Sequence, residues 1–307
     1  MAQLTSLSDL SSIGPVLRLL GHRLAACPVL FGKLCRVLVL YTKELLSKLP
    51  PDSSIPVKCT ALEPVKDLLS QSLLPALSCM ENNTAAALQV WSVMQPMPFP
   101  VRFAAYELWR GVEVGKAALG IKPDDVVFTE VKKLHTARGH LKRLAKENTR
   151  QIGKLLGACT HGTPMVVYDY MLAQVEHFEN LIPFVVEGLR YTTDLARDVL
   201  AFCFLLQLQK DSDKLKDGGT SYSQWYSSMS KFIGSFYRRY PTTELKGLLH
   251  FLLRKLSAAE SIDLLLLKDL LARMGGSEIV NDISPQQLEG LAGGRGLRAE
   301  VMGVQGK

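Results

Sequence analysis

No apolar run in this 307-residue chain reaches membrane-spanning length. The longest candidates, Val29–Tyr41 and Val199–Leu208, are interrupted by Lys33 and Arg36 or are too short. The start, MAQLTSLSDLSSIG, lacks the basic opening and apolar block of a signal peptide, and its Ser-rich character is only a weak match to an organelle transit peptide. Paired metal-ligand spacing is missing as well. No two of Cys27, Cys35, Cys59, Cys79, Cys159 and Cys203 make a CxxC, and no pair among His22, His135, His140, His161, His177 and His250 makes an HExxH. Most of the cysteines sit among apolar helical residues, which points to a reducing compartment without a disulfide framework.

Catalytic signatures are equally scarce. No GxSxG elbow occurs. GVEVGKA at Gly111–Ala117 has one residue too few between its glycines for a phosphate loop, and lacks the Ser or Thr that would hold magnesium. Cys159 and His161 are two apart, so a helix points them to different sides. Asp124 and Asp125 follow Pro123 at a helix start, where carboxylates suit the positive end of the dipole better than a metal. The expectation is a non-enzymatic protein with no catalytic residue, no cofactor and no metal site. An enzyme assembled from distant residues ranks last.

The 47% apolar content is instead arranged with helical periodicity. VLRLLGHRLAA, VLFGKLCRVLVLYTKELLSKL, PVKDLLSQSLLPALSCM and AAALQVWSVM all repeat apolar residues three and four apart. PPDSSIPVK and PMPFP interrupt them. Further helices are expected over Arg102–Leu119, from Pro123, from Pro164 with Thr163 as N-cap, and over about Thr193–Gln209, Tyr222–Arg239, Thr242–Lys255 and Ala258–Met274. KDSDKLKDGGTS is polar and reads as a surface loop, and a short helix is expected at Pro285–Leu291. Strand-like alternation is scarce. The fold class is therefore all-α, an irregular α-solenoid of stacked helix pairs of HEAT-like type, without a fixed repeat period. We divide the chain into an N-terminal helical region (1–95), a segment with a basic band (96–157), a helical-repeat domain (158–276) and a Gly-rich tail (277–307) that reads as the edge of something longer.

Charge is concentrated in one place. The chain carries 36 Lys and Arg against 29 Asp and Glu, an excess of seven. Between Val131 and Lys154 eight cations face Glu147 alone, so this stretch accounts for the same excess and the rest is nearly neutral. Within RGHLKRLAKENTRQIGK, Arg138, Lys142, Lys146, Arg150 and Lys154 form an i, i+4 row, with Arg143 beside it. Leu134, Ala137, Leu141, Leu144, Ala145, Ile152 and Leu155 make an apolar seam between them. As one continuous helix the seventeen residues would span roughly 25 Å, as a slanted band that Gly139 and Gly153 could bend. Four like-charge pairs would cost roughly 1–2 kcal/mol, partly relieved by Glu147 near Arg143 and Arg150. Two readings stand: a solvated face, or an anion-facing band for RNA or an acidic partner. No aromatic residue lies between Val131 and Lys154, so any nucleic acid would be held through phosphates rather than by base stacking.

Longer strings carry a family resemblance. LKRLAKEN (Leu141–Asn148), RQIGKL (Arg150–Leu155), GTPMVVYDYMLAQVEHFENLIPFVVEGLRYTTDLARDVLAF (Gly162–Phe202), FYRRYPTTELKGLLHFLLRKL (Phe236–Leu256), SIDLLLLKDLLARMGG (Ser261–Gly276) and SPQQLEGLAGG (Ser284–Gly294) resemble the THO complex subunit 2 family, in the family's order. The resemblance covers about Pro100–Glu300; the first hundred residues match in helical character. It implies a nuclear, non-enzymatic scaffold of the transcription–export complex, acting in mRNA processing and mRNA export. The implied partners are other THO complex subunits, a DEAD-box RNA helicase and mRNA, with no membrane. The part after about Leu155 resembles the start of a middle-domain helical repeat of the kind translation initiation factors use to grip such helicases. Family members are several times longer, so the chain reads as a fragment or a truncated form; the family's basic C-terminal tail is absent, and VMGVQGK replaces its onward sequence. The alternative is a general helical-repeat adaptor outside the nucleus.

Overall fold

Proline sets the starts of many of the helices. In the computed structural model, which describes residues 7–48, 60–111, 122–210, 213–216, 221–275 and 293–294, a proline stands in the first turn of α2 (Pro28–Ser47), α3 (Glu63–Leu68), α4 (Leu74–Cys79), α6 (Phe99–Arg110), α9 (Pro164–His177) and α10 (Ile182–Gly188). The first-turn N–H has no intrahelical partner, so proline loses nothing there and its fixed φ pre-forms the turn. Side chains cap others. Asn83 accepts from the Ala86 N–H at 3.0 Å to open α5 (Thr84–Met94), and Thr193 accepts from the Ala196 N–H at 3.2 Å to open α11 (Asp194–Leu208).

The remaining helices are α1 (Leu7–Leu20), α7 (Asp124–Leu141), α8 (Thr149–Thr160), α12 (Gln224–Arg239), α13 (Lys246–Ser257) and α14 (Leu264–Met274). A π-helical turn over Leu69–Leu73 joins α3 to α4. The described residues contain no strand, only an isolated bridge between Leu215 and Tyr222 within the polar loop. The architecture is the all-α helical solenoid, with α2 against α5, α7 against α8 and α9, α10 against α8 and α12, and α12 against α14. One apolar cluster runs from Leu17 to Leu270. Among the described residues no helix is long and apolar enough to cross a membrane.

Several boundaries move from their expected places. α6 stops at Arg110 because Gly111 adopts left-handed backbone (φ 67°, ψ 64°) and closes the helix; most of GVEVGKA lies outside the described residues. α13 starts four residues later than expected, because a turn from the Thr243 N–H to the Tyr240 carbonyl precedes it. α14 starts at Leu264 rather than Ala258, since Ala259 (φ 61°) and the Glu260 N–H bonding back to the Lys255 carbonyl terminate α13. Cys59 and the helix expected at 285–291 lie outside the described residues.

α11 occupies the centre. It buries residues on every side, including Leu195, Val199, Leu200 and Phe204, and touches α5, α6, α9 and α13. Phe204 meets Phe232 and Phe236 of α12 edge-on, with ring centroids 5.7 and 5.3 Å apart. Asp198 of this helix is buried and accepts from Arg102 and Tyr106 of α6.

Candidate anion-binding interface

The basic segment does not form one helix. α7 ends at Leu141, and α8 begins at Thr149. Between them Ala145 is extended (φ −144°, ψ 167°), followed by a 3-10 turn over Lys146–Asn148. Asn148 makes the corner: its Oδ1 accepts from the Ala145 N–H at 2.8 Å, and its Nδ2 donates to the Arg143 carbonyl at 2.6 Å. Thr149 Oγ1 adds a bond to the Ala145 carbonyl at 2.8 Å. Local side-chain bonds of this kind compete with helix continuation and win here. The straight 25 Å row is thus corrected to a folded band, with Arg138 on α7, Lys142, Arg143 and Lys146 at the corner, and Arg150 and Lys154 on α8. The like-charge cost shrinks with it, to the two pairs that keep helical spacing, Arg138 with Lys142 and Arg150 with Lys154, roughly 0.4–1 kcal/mol.

All six cations are exposed. Among the described residues none of them forms an ion pair with a carboxylate, and that includes Glu147, which reaches neither Arg143 nor Arg150. The neighbouring Lys132, by contrast, pairs with Glu81 at 3.2 Å. Arg143 is oriented by its own turn, donating from Nε to the Gly139 carbonyl at 2.9 Å and lying 3.2 Å from His140 Nδ1. Burial, with the Arg143 charge, holds the His140 pKa below its ordinary value.

The seam is buried at Ala137, Leu141, Leu144 and Ile152, while Leu155 is exposed. α8 instead turns Gly153 and Gly157 inward. A Cβ on Gly153 would stand 2.9 Å from the Gly188 Cα, and one on Gly157 would stand 2.6 Å from the Tyr191 carbonyl oxygen. Gly153 therefore does not bend the band; with Gly157 it lets α8 lie directly on α10 and the turn at Leu189–Tyr191. Gly139 meets nothing within 4 Å.

Neighbouring elements bring in aromatic rings the segment itself does not have. The Arg138 guanidinium lies 5.1 Å from the Tyr170 ring of α9, and the Lys154 ammonium 6.0 Å from the Tyr191 ring, which Arg190 also approaches at 5.5 Å. Sequence reasoning missed Tyr170, Arg190 and Tyr191, and no local signal would have found them, because they come from other elements. Cys159 is buried with Ala137 and Val167, and His161 sits past the end of α8, so these two make no reactive pair. The Pro123–Asp125 start of α7 and the Thr163–Pro164 start of α9 fall where expected, although Thr163 donates back to the Cys159 carbonyl instead of capping. Among the described residues no three His, Cys, Asp or Glu side chains gather where they could hold a metal ion.

Two family models cover the chain in succession. One, described as the THO complex subunit 2 N-terminus, matches residues 2–154; the other, described as a transcription- and export-related complex subunit, matches residues 156–230. The chain is 32% identical over 282 residues to THO complex subunit 2 of Homo sapiens, covering 92% of this chain and 17% of that protein. It is 33% identical over 235 residues to the protein of the same name in Arabidopsis thaliana, covering 76% of this chain and 12% of that one. The Saccharomyces cerevisiae protein matches at 24% over 282 residues, again 92% of this chain and 17% of its relative. The chain thus spans about a sixth of the length of the curated relatives it matches. Similarity that runs nearly end to end along this chain, through both matched models, places it: the chain belongs to the THO complex subunit 2 family.

Proposed function

We propose that this chain is a non-enzymatic helical scaffold segment of a THO complex, acting in the nucleus in mRNA processing and transcription-coupled mRNA export. The observation that carries the proposal is the 32% identity over 92% of the chain to relatives named as THO complex subunits. The solenoid supports it physically, since stacked helix pairs expose long edges on which several partners can be held at fixed separation. The partners proposed are other THO complex subunits and, from the family resemblance, a DEAD-box RNA helicase. RNA is proposed as a weaker contact through Arg138, Lys142, Arg143, Lys146, Arg150 and Lys154. Supporting that contact are six exposed cations without carboxylate partners among the described residues, which suits phosphate more than a self-neutralised surface would.

The test is co-purification. A tagged copy of the full chain expressed in cells should be recovered from nuclear extract together with THO subunits and the export helicase. Exclusion of the tagged chain from the nucleus, or recovery without any THO subunit, would overturn the assignment.

A further inference from the structure

The cations of the band do not end at Lys154. The Tyr191 ring is shared by Lys154 and Arg190. Arg190 donates to Glu187 Oε1 at 3.0 Å, and the other oxygen of that carboxylate takes Arg239 of α12 at 3.2 Å. Glu187 and Arg239 line a groove of about 510 Å³ that also presents Lys231, Ser235, Arg238 and Arg273. Contacts between named side chains thus lead from Lys154, at the α8 end of the band, into a second cationic site.

We propose that this groove, between α10, α12 and α14, binds the phosphates of a single-stranded nucleic acid and carries the band onward. Four cations line it against two carboxylates, Glu179 and Glu187. Lys231 is held by Glu179 at 2.7 Å and Arg239 by Glu187. Among the described residues Arg238 has no carboxylate partner, and Arg273 donates only to the Ser235 hydroxyl at 3.1 Å. Three of the four cations are arginines, whose planar forks match phosphate oxygens two at a time. The volume lies in the range that takes a nucleotide-sized ligand.

An acidic protein segment fits the track less well. Protein interfaces draw affinity from desolvated aromatic and aliphatic anchors. Here two of the apolar residues lining the groove, Ile182 and Val186, are buried beneath it; Pro183 is exposed but is a small anchor, and most of what else remains exposed is charge. A phosphate backbone needs no such anchors and presents the same anion at each step. Glu187 then acts as a brake: it occupies two arginines that a phosphate would otherwise take.

The proposal rests on the reading of the band given above, and one experiment separates the two. The full 307-residue chain is titrated into a labelled 20-nucleotide oligouridylate across a salt series, beside three variants: Lys142→Glu with Lys146→Glu and Arg150→Glu in the band, Arg238→Glu with Arg239→Glu in the groove, and Glu187→Gln. The groove variant should bind about tenfold more weakly at low salt and flatten the log K against log salt slope by roughly 1.4, two phosphates at about 0.7 each. Glu187→Gln should tighten binding several-fold, a gain that loss of a merely structural ion pair would not produce. Should the arginine variant fail to fold by circular dichroism, Glu187→Gln decides alone. Weakening by the band variant, with the other two like wild type, overturns the groove and leaves the band standing. Weakening by the groove variant alone supports the groove and removes the band. Wild-type binding by all three overturns both. Binding of oligoglutamate in place of oligouridylate, with the same dependence on the arginines, overturns the nucleic-acid assignment in favour of an acidic protein.

Discussion

The Arg102 guanidinium grips the Asp198 carboxylate through two parallel bonds, Nε to Oδ2 at 2.9 Å and Nη2 to Oδ1 at 3.0 Å, with both side chains only 3% exposed. The same guanidinium donates to the Met97 carbonyl at 2.5 Å and to Glu244 at 2.6 Å, and the Tyr106 hydroxyl donates to Asp198 at 2.8 Å. Burial works against the charge on Arg102, but Asp198, Glu244 and Tyr106 together more than offset it and raise the guanidinium pKa above its ordinary value. One buried network thereby ties Met97 of the PMPFP turn and α6 to α11 and to the segment before α13. A cavity of about 460 Å³ opens beside it, lined by Trp91, Arg102, Asp198 and Glu244 among others.

Removing Arg102 should therefore be among the most damaging single changes. Arg102→Met leaves Asp198 as an unpaired buried charge and should cost about 3–5 kcal/mol. The check is the urea unfolding midpoint. Adding Asp198→Asn to the same chain should recover part of the loss, because the uncompensated carboxylate is then gone.

Asn148 holds the corner of the band with two side-chain bonds. Asn148→Ala should destabilise by about 1–3 kcal/mol, at roughly 0.5–1.5 kcal/mol for each of its two bonds. Amide exchange should accelerate at Ala145, whose N–H loses its acceptor, and remain unchanged in α11. Equal acceleration throughout would show that the corner and the core open as one unit.

At Gly157 a single methyl group should separate two elements. A Cβ there would meet the Tyr191 carbonyl oxygen at 2.6 Å, closer than real contacts allow. Gly157→Ala should destabilise by about 1–3 kcal/mol despite alanine's better helix propensity. Gly139→Ala, on an open surface, should be neutral or slightly stabilising. Thermal melts of the pair decide it.

His161 makes stability sensitive to mild acid. Burial lowers its pKa from the ordinary 6.5, with backbone groups of Asn82 and Tyr191 opposing in part. The unfolded chain then takes up the proton first, so the stability present above pH 6.5 is lost as pH falls through the lower folded-state value. The urea midpoint should drop between pH 7.5 and 5, and His161→Gln should flatten that drop. His140 is shifted in the same direction and accounts for a remainder.

Much of this protein is legible along the chain. The 3.6-residue periodicity, the prolines at helix starts and the polar loops determine an all-α chain of short helices, because helix formation and its punctuation depend on residues within a turn or two. The concentration of charge between 131 and 154 is equally a property of the sequence. Apart from one local break, what the sequence did not disclose depends on distance along it. The break at Lys142–Asn148 looked like unbroken helix, since its apolar seam kept nearly the right spacing; the Asn148 bonds that interrupt it are geometric. Arg102 and Asp198 are 96 residues apart and carry no mark that they pair. Tyr191 reaches the band because Gly153 and Gly157 let α8 close to backbone contact with its turn, and Tyr170 reaches it because α9 packs on α7. Local order is decided by neighbours in sequence, whereas which cations share a surface, and with which rings, is decided by packing that only the assembled helices can set.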